Sequence, residues 1–290
     1  MVSALIVSRN AKDDLLRCLR ALFASADVPV EAIVVDNASS DGSPAAVTDD
    51  FPQATVLAQS KNLGYVRAAN VGLERCQGRF VLLLSPDVTL DPQCVGRLAD
   101  FLLTRPDVGA VGPGLTLPNG KLDPDARRAF PSPGTLFYQT VGLSRLFPKS
   151  SRFGRYNMGH LAADEAHEMD SGTAASMMLR RSALDRVGFF DPRYQTFGED
   201  LDLSYRLKLG GWKVFFVPTA RAMRNLRPVS PDRERQLSYE RHRAMWTYHF
   251  KHHSEDTSAF GNGLVWAQIW GGYAADRVGS LLRGPGRRVA

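Results

Sequence analysis

Glu31-Ala-Ile-Val-Val-Asp36 is a short apolar run that ends in a carboxylate, and Asn37-Ala-Ser-Ser-Asp-Gly-Ser43 breaks it with small polar residues. A run of this length bounded by turn chemistry reads as a buried strand. Asp41-Gly-Ser-Pro44 then opens a short helix over Pro44–Asp50. Upstream, Ala4–Val7 is a second buried-strand run. Between the two, Asp13–Phe23 spaces Leu15, Leu16, Leu19, Leu22 and Phe23 at a helical period. Downstream come a strand at Thr55–Ala58, a helix at Val66–Arg75 and a strong strand at Phe80–Leu84 that ends at Ser85-Pro-Asp87. This alternation predicts an α/β fold, a mostly parallel central sheet flanked by helices on both faces. In such sheets ligands bind beyond the carboxyl ends of the strands, and Asp36 and Asp87 both fall there.

The chain has 290 residues, 44% hydrophobic and 23% charged, which suits a packed core and excludes wholesale disorder. Its net charge of +6 is unevenly placed. Residues 1–220 hold 24 Lys+Arg and 24 Asp+Glu, whereas residues 221–290 hold 12 and 6. A neutral body with a basic last quarter is unlike a groove that tracks nucleic acid and better suits an anionic membrane surface. Cys18, Cys76 and Cys94 form no C-x-x-C, so neither a zinc site nor a disulfide framework is expected, and a reducing cytoplasm is the simple reading. Met1–Ser8 lacks a basic n-region and reads as a first strand rather than a signal peptide. No stretch reaches the ~18 apolar residues of a membrane span. No G-x-G-x-x-G follows the first strand, which argues against a dinucleotide-dependent oxidoreductase.

Residues 113–168 change character. Six prolines break any long element, and Arg127, Arg128, Arg145, Lys149, Arg152 and Arg155 alternate with aromatics. A long segment of this kind reads as a functional, partly ordered loop. Regular structure resumes with a strand at Ser176–Leu179, helices at Ser182–Val187 and Phe197–Leu209, a strand at Lys213–Val217 and a basic, aromatic helix at 233–250. In the tail, Val265, Trp266, Ile269, Trp270, Tyr273, Val278, Leu281 and Leu282 recur at roughly helical spacing, ahead of Arg283, Arg287 and Arg288. Such a segment either lies in a membrane interface or packs on the body. Gly271 and Gly272 weaken a continuous helix there by about 1 kcal/mol each. The chain therefore divides into 1–112, 113–168, 169–250 and 251–290.

Several groups carry chemistry. A carboxylate at a strand end, such as Asp36, can accept from a nucleobase N–H, although the same stretch is also good helix-capping sequence. Lys61–Gly72 combines Asn62 and Asn70 with Gly64, Ala68, Ala69 and Gly72, and offers Arg67 as a fork for phosphate. Tight helix–sheet packing would explain the small residues equally well. Asp87 is placed to hold a divalent metal on a diphosphate, or to serve a turn. Glu199, Asp200 and Asp202 crowd a helix start, where the macrodipole favours negative charge. Three acids beside Phe197 and Gly198 exceed what capping requires, so one of them can act as a general base. Arg206 is four residues beyond Asp202 and can pair with it. His249 and His253 form an i, i+4 pair that reads as a solvated helix end rather than a metal site.

In combination these motifs resemble the nucleotide-sugar-dependent family 2 glycosyltransferases, closest to bacterial rhamnosyltransferase-type members. The resemblance runs from about Ala4 to about Tyr248. It rests on Val35-Asp-Asn-Ala-Ser-Ser-Asp-Gly42, Asn62-Leu-Gly-Tyr65 with Asn70, Pro86-Asp-Val88, Gly188-Phe-Phe-Asp191, Gly198-Glu-Asp-Leu-Asp-Leu203 with Arg206, Gly211-Trp-Lys-Val214 and Val217-Pro218. It implies a GT-A fold, a Rossmann-like sheet joined to an acceptor-binding subregion, here with a helical C-terminal tail. By the same resemblance Asp200 is the base. Asp36, Asn37, Asn62, Gly64, Arg67, Asp87 and Arg224 contact the donor, and Asp87 ligates the metal. Asp170, Glu199 and Trp212 contact the acceptor. The reaction implied is an inverting displacement from a nucleoside diphosphate sugar, rhamnose in the closest members, onto a hydroxyl of a cell-surface glycan or lipid-linked acceptor. The setting is cytoplasmic, peripheral on the inner face of the membrane, without nucleic acid.

This sequence departs from the family pattern in three places. Ser85 stands where the metal motif has Asn or Asp, and Arg224 stands where many members have a metal-binding His after Val217-Pro-Thr-Ala220. No aromatic follows Asp170 before Ser171-Gly-Thr173. Both of the first two weaken a Mg²⁺ or Mn²⁺ site, and Arg224 is expected to supply part of the charge for the leaving diphosphate. The alternative is a non-catalytic protein of this fold that binds nucleotide sugar or glycan.

Overall fold

The structure, a computed structural model, describes residues 1–282 apart from 26, 141, 227 and 228. The expected contacts of Arg283, Arg287 and Arg288 lie outside the described residues. The first half follows the sequence rhythm: β1 (Val2–Ser8), α1 (Lys12–Ala24), β2 (Val30–Asp36), α2 (Ser43–Asp50), β3 (Thr55–Ala58), α3 (Tyr65–Leu73) and β4 (Phe80–Leu84). These strands run parallel in the order β3-β2-β1-β4. Leu15, Leu19 and Leu22 of α1 and Leu82 and Leu83 of β4 are fully buried. Each such side chain contributes ~1.5–3 kcal/mol through burial. The small residues of α3 take the packing role. Ala68 and Ala69 are buried, and a Cβ on Gly72 would fall 2.2 Å from Leu5 Cδ1.

The second half contains elements that the sequence rhythm did not indicate. After β5 (Val88–Leu90), α4 (Cys94–Thr104) and β6 (Val108–Thr116), the 113–168 segment folds as turns, α5 (Pro133–Thr140) and α6 (Leu143–Leu146). Then follow β7 (His167–Met169), β8 (Ser176–Arg180), α7 (Arg181–Val187), α8 (Glu199–Leu209) and β9 (Lys213–Arg224). The sheet continues β4-β8-β6-β9-β5, with β7 also on β9. Here the expected parallel pattern gives way. β8 runs antiparallel to both β4 and β6, β5 and β7 are antiparallel to β9, and only β6–β9 is parallel. The reversal has a functional result. Ser176 pairs with Leu84, so residues 170–175 lie at the same sheet edge as the carboxyl end of β4 and Asp87.

The chain closes with α9 (Pro231–His252) and α10 (Ala259–Leu282). Tyr239 of α9 packs on Trp270 and Tyr273 of α10, with ring centres 5.8 and 5.9 Å apart, and Val265 and Ile269 are buried. One face of the tail thus packs on the body. Gly271 and Gly272 do not interrupt the helix, and Gly272 faces His242, where a Cβ would make only ordinary contact at 3.5 Å from its Nε2. The outer face leaves Phe260, Leu264, Trp266 and Val278 exposed. All three cysteines are buried free thiols.

Candidate active site

Asp36 ends β2 and is buried. Its Oδ2 accepts from Ser39 N at 3.0 Å, while its buried Oδ1 has no partner. A desolvated carboxylate oxygen without a partner is costly, and a nucleobase N–H would satisfy it. Asn37 is spent on the scaffold. Its Oδ1 takes Leu63 N at 2.7 Å and its Nδ2 donates to Gly64 O at 3.3 Å, which ties β2 to the start of α3. Asn62 Oδ1 caps Gly64 N at 3.0 Å, and Gly64 has φ +78°. Arg67 is exposed on the first turns of α3. Asn70 instead spans to Phe190, donating to its carbonyl at 2.8 Å and accepting its N–H at 3.1 Å.

Asp87 lies just past β4. Its Oδ2 accepts from Arg224 Nε at 3.2 Å, and its Oδ1 is buried without a partner. The β5–β9 register delivers Arg224, which pairs with Val88. Arg224 Nη1 also lies 3.4 Å from Asp123 Oδ2. Despite its burial, the charges of Asp87 and Asp123 push the Arg224 guanidinium further up. Burial raises the Asp123 carboxyl, which is 2% exposed. Arg224 thus sits between two carboxylates, and one guanidinium between two carboxylates is not a net cation. Ser85 offers its N–H to Ala175 O at 2.8 Å. Among the described residues no three His, Cys, Asp or Glu side chains gather as a metal cage.

The acidic run divides by the partners each carboxylate meets. Asp200 and Glu199 start α8 beside the 170–175 turn. Asp200 Oδ1 accepts from Leu201 N at 2.8 Å, and Oδ2 accepts from Arg128 Nη2 at 2.6 Å and Ala174 N at 3.3 Å. Glu199 is 5% exposed with Oε2 unpartnered, and burial followed by the Asp200 charge pushes its carboxyl well above the usual range. Burial and the neighbouring carboxylate both favour the neutral form of Glu199. Asp202 turns away. It pairs with Arg206 as expected (2.8 Å) and also accepts from Lys251 Nζ at 2.5 Å and His252 Nε2 at 2.8 Å. It therefore bonds α8 to α9 rather than joining the site. His249 is buried and pairs with Asn262 at 2.7 Å, so the solvated helix end expected there is corrected: α10 covers it.

Asp170 reaches the site edge, accepting from Phe130 N at 2.9 Å and Lys208 Nζ at 3.1 Å. Trp212 does not. It precedes β9 and packs over Gly109 at the amino end of β6, 5.9 Å from Arg180. Arg180 pairs with Phe80, at the sheet edge opposite Asp87. Placing Trp212 at the acceptor is therefore corrected: strand direction puts it at the wrong end of the sheet. Asp123 and Arg128 were missing from the expected site. Both come from the 113–168 segment, whose composition distinguished neither from its charged neighbours.

With this geometry in hand, the comparisons are specific. Residues 3–188 match the model of glycosyl transferase family 2. The chain is 31% identical over 220 residues to the N-acetylglucosaminyl-diphospho-decaprenol L-rhamnosyltransferase of Mycobacterium tuberculosis, covering 71% of this chain and 70% of that protein. A mannosyltransferase from Pyrobaculum calidifontis, solved with GDP-Man and Mn²⁺, superposes with a TM-score of 0.59 at 16% identity. The match covers 98% of this chain and 76% of that one. TarS from S. aureus with UDP-GlcNAc gives 0.58 at 17% identity over the same shares. The chain belongs to glycosyl transferase family 2 and is a glycosyltransferase with the GT-A fold.

Proposed function

We propose that the chain moves a sugar, rhamnose by analogy with its mycobacterial relative, from a nucleoside diphosphate donor to a hydroxyl of a glycan or lipid-linked acceptor, with inversion. The observation that carries this is the set of three buried or half-buried carboxylates, Asp36, Asp87 and Asp200, each with a separate environment around one sheet edge. Asp36 Oδ1 receives the base of the donor. Asp200 Oδ1 keeps a lone pair beyond its bond to Leu201 N. It takes the proton as the acceptor oxygen attacks the anomeric carbon and the bond to the diphosphate breaks. Glu199, protonated beside it, donates to the acceptor.

The orphaned Oδ1 of Asp87 fits a Mg²⁺ or Mn²⁺ that is otherwise held by phosphate oxygens and water. When bound, such an ion supplies charge stabilisation to the leaving diphosphate. Arg224 holds the other oxygen of Asp87 and so fixes the direction in which Oδ1 faces.

Cytoplasmic placement on the inner membrane face is part of the same proposal. Among the described residues no helix is long and apolar enough to cross a membrane. The exposed apolar face of α10 and the basic last 70 residues suit contact with an anionic leaflet. The test is a thermal-shift screen of nucleotide sugars with and without Mn²⁺, followed by transfer assays. A donor that raises the midpoint and is consumed by the parent but not by Asp200→Asn supports transfer. Binding with equal turnover in Asp200→Asn refutes Asp200 as base. Binding without turnover in either chain favours the non-catalytic alternative.

A further inference from the structure

Arg127 and Arg128 are adjacent, both buried, and reach opposite ways. Arg127 donates to Ala162 O at 2.7 Å and Leu161 O at 3.0 Å, and lies 5.2 Å from the centre of the Phe216 ring. It ties its segment to itself and to β9. Arg128 turns inward. Nη2 donates to Asp200 Oδ2 and to Gly172 O, both at 2.6 Å. Its backbone pairs with Ser171 in both directions, at 2.8 and 2.9 Å. Its other carboxylate neighbour, Asp125, is more distant, with Oδ1 3.9 Å from Nη1. The 113–168 segment thus places one desolvated guanidinium against the catalytic carboxylate and anchors it by main-chain bonds on the turn beside that carboxylate.

We propose that Arg128 is the positioning residue of the base: seating the 113–168 segment delivers its guanidinium to Asp200 and fixes Oδ2, leaving Oδ1 for the acceptor hydroxyl. This rests on the transferase reading above. It makes the placement of Asp200 depend on how that segment is seated. Other charged and titratable groups face Asp200 as well. They are Glu199 on its own helix, Tyr65 from α3, and Asp125 and Tyr156 from the same segment as Arg128. Among these groups Arg128 is the cation, so its removal leaves Asp200 beside acids and phenols alone.

The test uses the full chain as Arg128→Met, Arg128→Lys and Arg128→Gln, with Arg127→Met as the neighbouring control. Two readouts are taken: the pH profile of kcat, and the ¹³C carboxyl titration of Asp200, assigned through Asp200→Asn. An opposite charge within hydrogen-bond reach lowers a carboxyl by about one to three pH units. Arg128→Met should therefore raise the acid limb of kcat and the Asp200 titration by about one pH unit or more, with donor KM unchanged. Arg128→Lys should stay near the parent, because it restores the charge. Arg128→Gln keeps a hydrogen bond without the charge and should move as Met does, which carries the test if Arg128→Met fails to fold. Arg127→Met should leave both readouts in place. A folded Arg128→Met or Arg128→Gln whose Asp200 titrates with the parent overturns the proposal, and so does an equal movement in Arg127→Met. If no donor supports turnover, the transferase reading falls alone, and the carboxyl titration still decides the role of Arg128.

Discussion

Replacing Asp202 by alanine removes a carboxylate with no exposed surface that accepts from three side chains: Arg206 at 2.8 Å, Lys251 at 2.5 Å and His252 at 2.8 Å. Removing one partner of a buried ion pair costs about 3–5 kcal/mol, because the other charge stays buried without compensation. The stranded donors are unequally exposed to that cost. Lys251 keeps Asp191 at 2.7 Å, and Arg206 keeps the carbonyls of Val187, Gly188 and Phe189. His252 keeps its ring contacts with Tyr205 and Tyr248. The lower end applies, about 3 kcal/mol, which lowers the melting midpoint by roughly 6–12 °C.

Urea denaturation followed by tryptophan fluorescence measures the loss, since Trp246, Trp266 and Trp270 sit in the α9–α10 pair. The effect has a pH signature. Against the cost of its burial, hydrogen bonds from His252 and Lys251 hold the Asp202 carboxyl below its ordinary range. Its contribution is therefore present above the unfolded-chain value of about 3.9 and disappears as pH falls through the folded value. The gap between parent and Asp202→Ala should be constant near neutrality and close in acid. A loss under about 1 kcal/mol at neutral pH, or a gap that persists in strong acid, would refute the idea that this carboxylate fastens α9 to the catalytic half.

Other outcomes follow from the same geometry. Glu199→Gln should leave stability at pH 5 nearly unchanged and make the chain more stable than the parent at pH 8. The raised carboxyl contributes stability below the unfolded value of about 4.3 and loses it as pH rises through the folded value. Parallel urea curves at the two pH values would count against a protonated Glu199. Asp36→Ala should weaken nucleoside diphosphate binding about 10- to 100-fold by calorimetry, the worth of one hydrogen bond to a charged acceptor. Equal affinity would remove Asp36 from the donor site. Flotation with anionic vesicles should capture the parent chain but not a Phe260→Glu, Leu264→Glu, Trp266→Glu triple variant, whose changes sit on the exposed face of α10. Equal capture would mean that the face does not bind lipid.

What could be read in advance was local. The β2 run and its terminal Asp36 are legible because burial pattern and turn chemistry occupy one short window. The same holds for β4 and Asp87. β8 was legible as a strand but not in direction, because Ser176–Arg180 is buried on both faces and such a run looks alike either way. Its reversal is what brings Asp170–Ala175 to the catalytic edge. Arg127 and Arg128 show a sharper limit. Neighbours of identical type diverge because backbone pairing with Ser171, 43 residues downstream, decides which one faces Asp200.

Strand direction decides where Trp212 lies. Ligands gather at carboxyl ends of strands, and a residue just before β9, which runs parallel to β6, must sit at the amino end. The acidic run is the most instructive. Three carboxylates lie within four positions of a helix start, where spacing puts Glu199 and Asp202 on one face and Asp200 on another, yet each meets a separate set of partners. Glu199 is a buried carboxyl raised by its surroundings, Asp200 accepts from Arg128, and Asp202 holds a neighbouring helix. Helical rotation turns Asp202 away from Asp200 but not from Glu199, three residues before it. Asp200 Oδ2 accepts from a guanidinium supplied from far along the chain, that of Arg128, so this contact exists only once the 113–168 segment is in place.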